Sequence, residues 1–216
     1  MTSIDNKYKF VIEKFSASMP DAKSELSFES PFQLLVAVIL SAQCTDKRVN
    51  MTTPALFAAL PDARAMAAAS VEEIFSYIKS ISYPNNKAKH LQAMARALIE
   101  RFGGVVPDNM DDLLSLPGVG RKTANVVLAC AFNQAAMPVD THVFRVANRI
   151  GLTRHSKTPA ETEKILTQHF PSEILPLAHH WLLLHGRYIC KAIKPLCENC
   201  IIRDVCDEYM NKNNHI

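Results

Sequence analysis

The sequence predicts an all-α protein. Apolar residues recur at helical spacing through most of the 216 residues, and capping residues such as Ser30, Thr45 and Ser70 stand directly before apolar segments. No stretch shows the strict alternation of apolar and polar residues that a half-buried strand needs. A hydrophobic content of 48 % with only 6 glycines is typical of a compact globular chain with a substantial core.

Local signals place the individual helices. Ser30-Pro31 begins a helix that runs to about Ser41, and Thr45-Asp46 begins one that runs toward Leu60. Ser70 and Glu73 form a capping box in front of a third helix. Further helices are predicted at about 86–102, where Gly103-Gly104 ends the helix, and near 143–150, 160–170 and 173–188.

Residues 110–133 have a different character. A short helix at 111–115 leads into the tight turn Leu116-Pro117-Gly118-Val119-Gly120, and Arg121 begins the next helix. The two glycines leave backbone amides bare at a helix N-terminus, where a phosphate can approach closely. With Arg121 and Lys122 following, the pattern predicts a helix–hairpin–helix that binds the DNA backbone without reading sequence. An ordinary αα-hairpin with a glycine-rich turn is the alternative.

Four cysteines near the C-terminus predict an iron–sulfur cluster. Cys190, Cys197, Cys200 and Cys206 have the spacing C-x6-C-x2-C-x5-C, and four thiolates from short loops are what a cubane cluster needs. Structural zinc usually uses two C-x2-C pairs, and disulfides are the third possibility. The remaining pair of cysteines, at 44 and 130, are expected to be buried packing residues.

The N-terminus lacks the pattern of a secretory signal, and the longest apolar run is too short to span a bilayer. We therefore expect an intracellular protein with reduced thiols. The net charge of +3 is compatible with DNA binding but equally with an ordinary enzyme.

Several motifs, in order, resemble the endonuclease III family of DNA N-glycosylases and abasic-site lyases in base-excision repair. They are residues 40–46 (LSAQCTD), 116–125 around the hairpin, 139–143 (VDTHV) and 185–188 (HGRY), which lead into the four cysteines. The resemblance covers nearly the whole chain. It implies a six-helix barrel at 24–134, with the hairpin at about 109–133, and a [4Fe–4S] cluster domain made from 1–23 and 135–216.

The resemblance implies two catalytic residues. Lys122 lies in the first turn after the hairpin, where the helix dipole and Arg121 both disfavour the ammonium form. Its neutral amine would attack C1′ of the sugar, form a Schiff base and allow β-elimination. Asp140 would be the catalytic acid, although its place before a helix also suits a plain N-cap.

The resemblance also implies DNA contacts. Gln43 would enter the gap left by a flipped nucleotide, and Tyr83 would be the wedge on the other side. Ser82-Tyr83-Pro84 departs from the family, which usually has glycine followed by an aliphatic residue. Gly118, Gly120 and Arg121 would bind phosphate, as would Lys191 and Lys194, although Ile193 and Leu196 replace basic residues common in that loop.

The histidines at 142, 179, 180 and 185 have no ligand spacing and are expected to pack or cap, and Trp181 is expected in the core.

The adenine–mismatch glycosylase is the nearest rival family, but it lacks the lysine after the hairpin. The alternative outside the enzymes is a non-catalytic DNA-binding module whose cluster serves as a redox sensor. The expected partner is duplex DNA with damaged pyrimidines or abasic sites, bound by a cytoplasmic prokaryotic monomer without membrane contact.

Overall fold

A computed structural model describes residues 3–213, and in that range the regular structure is helical, with no β-strand. The helices are α1 (Ile4–Ser18), α2 (Pro31–Ser41), α3 (Asp46–Ala59), α4 (Ala63–Ala68), α5 (Val71–Ile78), α6 (Pro84–Phe102), α7 (Met110–Leu114), α8 (Arg121–Phe132), α9 (Thr141–Ile150), α10 (Pro159–His169), α11 (Leu175–Tyr188) and α12 (Asp207–Asn213). The predicted all-α class is confirmed. Between residues 3 and 213, no helix has both the length and the apolar character needed to cross a membrane.

Most of the helix starts predicted from capping residues are confirmed. The side chains of Ser30, Thr45 and Ser70 each accept a hydrogen bond from the backbone amide three residues later. Gly103 ends α6 in the left-handed conformation, with φ of 63°. These signals act within a few residues of sequence, which is why the sequence alone locates them.

Other elements were not predicted. Helix α6 begins at Pro84 rather than near residue 86, because Pro84 occupies the first helical position after Tyr83. Helices α1, α4 and α12 were not predicted from the sequence. Helix α4 has only 6 residues and α12 only 7, so neither shows more than two turns of periodicity.

The chain forms two compact units, of which one is Ser24–Asn133 and the other joins Met1–Lys23 with Gln134–Ile216. The first unit holds six helices of at least six residues, α2 to α6 and α8, together with the five-residue α7. Helix α2 packs against α3, α6 and α8, and its Phe32 and Leu34–Leu40 are all buried. The loop after Ser41 therefore leaves a rigid, deeply buried helix.

The second unit has a core built from both termini. Helix α1 contributes Tyr8, Val11 and Phe15, which pack with α9 and α11 side chains in one cluster. Trp181 is 1 % exposed and donates its Nε1 proton to the carbonyl of Met19 at 2.8 Å. The expectation that Trp181 is a core residue is confirmed, and its indole N–H has the partner that burial demands.

An ion pair between a buried lysine and a partly exposed aspartate also connects the ends of the chain in this unit. The Nζ of Lys7 donates to Asp207 Oδ1 at 2.5 Å and to the carbonyl of Ile150 at 2.8 Å. A Cβ at Gly151, where φ is 87°, would collide with the Asp207 carboxylate. Removing one partner of such a pair leaves a buried charge uncompensated, so α1, α9 and α12 are held together by Lys7.

Candidate functional site

The hairpin between α7 and α8 presents its backbone as predicted. Gly120 is the N-cap of α8 and supplies no side chain, so the first amides of the helix have no side-chain acceptor at the cap. The turn is closed by a hydrogen bond from Val119 N–H to Leu116 O at 3.2 Å, and α8 begins with a hydrogen bond from Ala124 N–H to Gly120 O at 2.9 Å. The exposed Arg121 follows at once. The helix dipole and the charge of Arg121 both favour an anion at this position.

The two glycines of the hairpin serve different needs. Gly118 has φ of 78°, and a Cβ there would lie 2.9 Å from Cβ of His90, so the fold itself requires glycine. Gly120 has ordinary extended backbone, and a Cβ there would meet no atom within 4 Å. Its open surroundings leave room for a ligand to reach the backbone.

Lys122 is the second residue of α8 and is exposed to solvent. Its positive charge lowers the pKa of Cys130, two turns further along the helix, although burial has the larger effect and raises that pKa to about 11. Lys122 is therefore an accessible amine in the first turn of α8, a place that suits a nucleophile.

Asp140 is the N-cap of α9, and its Oδ1 accepts from the amides of His142 at 2.9 Å and Val143 at 2.8 Å. Both amides contact the same oxygen, so among residues 3–213 the structure gives Oδ2 no hydrogen-bond partner. The carboxylate can thus cap the helix and still present one oxygen for chemistry.

His179 supports Asp140 and was not singled out for that role from the sequence. Its Nδ1 lies 2.8 Å from the carbonyl of Pro138, two residues before Asp140, and its side chain is buried. The hydrogen bond fixes the segment that carries the carboxylate. A histidine in an apolar helix gives no sequence signal for such a contact, since the partner lies 41 residues away.

Gln43 and Tyr83, the two residues expected to enter DNA, share an unusual backbone conformation. Gln43 has φ of 54° and Tyr83 has φ of 57°, both in the left-handed region. Gln43 is exposed, and Tyr83 is 64 % exposed in front of Pro84. Residues other than glycine and asparagine rarely adopt this conformation, so their surroundings must hold them in it.

The four C-terminal cysteines line a single cavity. It is bounded by Cys190, Cys197, Cys200 and Cys206, with Ile202 and other side chains from the same unit. None of these four cysteines forms a disulfide, so the disulfide alternative is wrong. Among residues 3–213, no three or more His, Cys, Asp or Glu are arranged to hold a single metal ion. The thiols surround a space, as ligands of a multi-iron cluster do.

The thiols are embedded in apolar surroundings and hydrogen bonds. Burial, together with the other three cysteines, raises the pKa of the Cys200 thiol to about 11, which metal binding would overcome. His185 Nε2 lies 3.5 Å from Cys200 Sγ, and Arg149 donates to Cys190 Sγ at 3.7 Å. Such contacts orient cluster ligands, and neither was predicted from the sequence.

Arg149 also shapes the loop between the first two cysteines. Its guanidinium donates to the carbonyls of Lys191 at 2.7 Å and Ala192 at 3.1 Å. Lys191 and Lys194 are exposed, as is Ile193, at 82 %. The loop thus presents two cations to solvent from a backbone that is fixed at its base.

The remaining two cysteines depart from expectation. Cys44 and Cys130 are half-buried rather than fully buried. Cys130 packs beside Leu34 and Val126, whereas Cys44 lies in the loop after α2. The apolar run of α2 ends at Ser41, before Cys44.

Comparison with known proteins identifies the class. Residues 36–172 match the family model described as HhH-GPD superfamily base excision DNA repair protein, and residues 190–206 match the iron–sulfur binding domain of endonuclease III. The second match begins at Cys190 and ends at Cys206, the outermost of the four cysteines.

Relatives and solved structures place the chain more narrowly, within one family of this superfamily. Endonuclease III of Rickettsia conorii is 50 % identical over 93 % of this chain and 95 % of its own length. That of Escherichia coli K12 is 45 % identical over 94 % and 95 %. A structure of a trapped endonuclease III–DNA covalent intermediate, an estranged-adenine complex, matches with TM-score 0.92 and 40 % identity over 99 % of this chain and 100 % of that one.

The chain belongs to the HhH-GPD superfamily of base excision DNA repair proteins and, within it, to the endonuclease III family. It is a DNA glycosylase and abasic-site lyase that binds DNA and carries a [4Fe–4S] cluster. The cavity lined by four thiols fits this cofactor, since thiolate sulfur is the ligand that iron–sulfur clusters use.

Proposed function

We propose that this enzyme removes oxidised or otherwise damaged pyrimidines from duplex DNA and then cleaves 3′ to the abasic site, with Lys122 as nucleophile. The observation that carries the proposal is the position of Lys122, an exposed amine in the first turn after a hairpin whose Gly120 is open to a ligand. The preference for pyrimidines rests on the resemblance to the family.

The chemistry needs one nucleophile and a series of proton transfers. The lone pair of Lys122 Nζ forms a bond to C1′ while the N-glycosidic bond breaks, and the base leaves with the electron pair and takes up a proton. The nitrogen bound to C1′ then loses a proton, and its lone pair forms the C=N bond of a Schiff base as the C1′–O4′ bond breaks and O4′ takes up a proton. This imine acidifies the C2′ proton, and its loss expels the 3′ phosphate by β-elimination.

Asp140 has the role of stabilising positive charge in this scheme. An ionised carboxylate near C1′ lowers the free energy of a transition state that resembles an oxocarbenium ion. It can also accept the proton that Lys122 must lose before it attacks. The availability of Oδ2 supports this assignment, since Oδ1 already accepts two amides.

The DNA contacts divide by type. Gly118, Gly120 and Arg121 of the hairpin bind phosphate, as do Lys191 and Lys194 of the loop, and these contacts position the duplex without reading sequence. Gln43 and Tyr83 fill the gap that a flipped nucleotide leaves. Their exposure and strained backbone support this role, because strain of this kind is typical of functional sites.

Cys190, Cys197, Cys200 and Cys206 are proposed as the four ligands of the cluster. When bound, the cluster supplies a rigid anchor for the loop of Lys191 and Lys194 and takes no part in bond cleavage. We also propose that the enzyme acts as a monomer in the cytoplasm, in line with the bacterial origin of its relatives.

A lesion panel with borohydride tests the proposal. Duplexes that each contain one oxidised pyrimidine, one oxidised purine, one adenine mismatch or one abasic site are incubated with enzyme and borohydride. Damaged pyrimidines and abasic sites should give a covalent adduct at Lys122. Excision of mismatched adenine without an adduct would instead favour the adenine–mismatch glycosylase, and binding without any cleavage would favour a non-catalytic module.

A further inference from the structure

Lys87, in the first half of α6, is a buried cation outside the catalytic residues. It is only 6 % exposed, whereas lysine is almost never buried without a partner. Its Nζ donates to the carbonyls of Leu40 at 2.8 Å and Ala42 at 2.6 Å. Burial lowers the pKa of the Lys87 ammonium, and the neighbouring Cys44 thiol acts in the opposite direction.

The two acceptors lie at the C-terminal end of α2. The last carbonyls of a helix have no partner within the helix and carry the negative end of its dipole, so a lysine ammonium suits this place. Lys87 is therefore a C-terminal cap that reaches α2 from another helix, 45 residues further along the chain in the contact with Ala42.

The contact with Ala42 has a consequence for Gln43. The carbonyl of Ala42 belongs to the peptide group that joins Ala42 to Gln43, so the hydrogen bond from Lys87 fixes the orientation of that peptide plane. A rotation of this plane changes ψ of Ala42 and φ of Gln43 together. Gln43 has φ of 54° at the third position of a turn that is closed by the Cys44 amide donating to the carbonyl of Ser41 at 3.0 Å. The hydrogen bond from Lys87 holds the central peptide plane of this turn and so helps to keep Gln43 in this conformation.

The backbone amide of Lys87 forms a hydrogen bond with Tyr83, the other residue in the left-handed conformation. The amide of Lys87 donates to the carbonyl of Tyr83 at 3.2 Å, which closes the first turn of α6. Tyr83 precedes Pro84 and has φ of 57° with no side-chain cap of its own. One residue thus connects the peptide group before Gln43 with Tyr83.

We propose that Lys87 is a positioning residue that holds Gln43 and Tyr83 at a fixed distance and orientation, ready to enter the gap in the duplex. This inference rests on the proposed roles of Gln43 and Tyr83 in DNA. Lys87 does not touch the substrate. It holds the loops of Gln43 and Tyr83 in their binding conformation before DNA arrives. Less free energy is then lost in ordering these loops when the damaged nucleotide leaves the DNA duplex.

The test is a mutational cycle on excision of a damaged pyrimidine from a duplex under single-turnover conditions. Lys87→Met keeps the apolar stem and removes the donor. We expect it to lower the excision rate by about tenfold to a hundredfold, since misplacement by about 1 Å can have such a cost. In a Gln43→Ala/Tyr83→Ala background, the same change should cost no more than about two- to threefold, because its effect acts through those side chains.

A second readout separates positioning from general damage to the fold. Cleavage of an abasic site in single-stranded DNA needs no gap to be filled, so Lys87→Met should leave its rate within about two- to threefold of the wild type. Lys89→Met is the matched control, since Lys89 is an exposed lysine in the same helix. If Lys87→Met does not fold, Lys87→Gln, which retains a shorter donor, takes its place in both assays.

The outcomes are distinct. Equal losses from Lys87→Met in both backgrounds, or equal losses on duplex and single-stranded substrates, would show that Lys87 acts only on stability and would overturn the inference. If Gln43→Ala/Tyr83→Ala itself excises at the wild-type rate, then the proposed roles of those two residues fail instead.

Discussion

The Nε2 atom of His185 lies 3.5 Å from the Sγ atom of Cys200. Burial lowers the pKa of His185 to about 4, so its imidazole is neutral near pH 7. With its proton on Nε2, the neutral ring donates a hydrogen bond to a Cys200 thiolate without adding a charge. His185 also contacts the ring of Phe15, with centroids 5.2 Å apart. The environment of this cysteine is therefore tied to the core of its unit.

Cys200→Ser should first reduce stability and soluble yield. The wild-type protein should contain about four iron atoms per chain and absorb broadly near 400 nm, as cubane clusters do. Loss of one thiolate should lower both the iron content and the unfolding midpoint. Cys130→Ser, at a half-buried cysteine outside the cavity, is the control and should keep the wild-type iron content. An iron-free wild type with full activity, or one with stoichiometric zinc, would show that the four cysteines have another role.

Lys122→Ala should abolish borohydride trapping on abasic DNA, because no amine remains to form the Schiff base. DNA affinity should change only a few fold, with the salt dependence of binding reduced by about one phosphate contact. Peptide mapping of the wild-type adduct should locate it at Lys122. Lys157→Ala, at another exposed lysine, should trap normally. An adduct on a different lysine would refute the assignment.

Asp140→Asn should lower base excision by about a hundredfold or more, since it removes a charge aimed at the developing cation. The fold should persist, because asparagine caps helices nearly as well as aspartate. Asp62→Asn is a matched control: Asp62 caps α4 by accepting from Ala65 N–H at 2.8 Å. Single-turnover rates and thermal unfolding of both variants separate capping from catalysis. Asp140 would be a helix cap alone if Asp140→Asn excised at nearly the wild-type rate.

Stability should fall as the pH is lowered from about 6.5 to about 4. Burial lowers the pKa of His180 to about 4 in the folded chain, so between these values the unfolded chain binds a proton that the folded chain does not. The free energy of unfolding then decreases with falling pH, by about 1–3 kcal/mol across the window for this residue. His180→Gln should flatten the dependence in denaturant titrations at several pH values. The exposed His155→Asn should not, and an unchanged slope in His180→Gln would contradict the prediction.

The sequence by itself determined the features that depend on near neighbours in the chain. Helix starts are predicted at Ser30, Thr45 and Ser70 because the capping hydroxyl accepts a hydrogen bond from the backbone amide three residues later. The turn at Gly118 and Gly120 is readable for the same reason. The spacing of four cysteines within residues 190–206 predicts the iron–sulfur cluster.

Only the tertiary structure decided which distant groups support these features. Lys87 reaches Ala42 across 45 residues, His179 reaches Pro138 across 41, and Arg149 reaches Cys190 across 41. A lysine, histidine or arginine looks the same in sequence whether it caps a helix, fixes the segment that carries a carboxylate or orients a thiol. The packing of whole helices sets these contacts, because a side chain finds its hydrogen-bond partner only once the core has brought the two segments together.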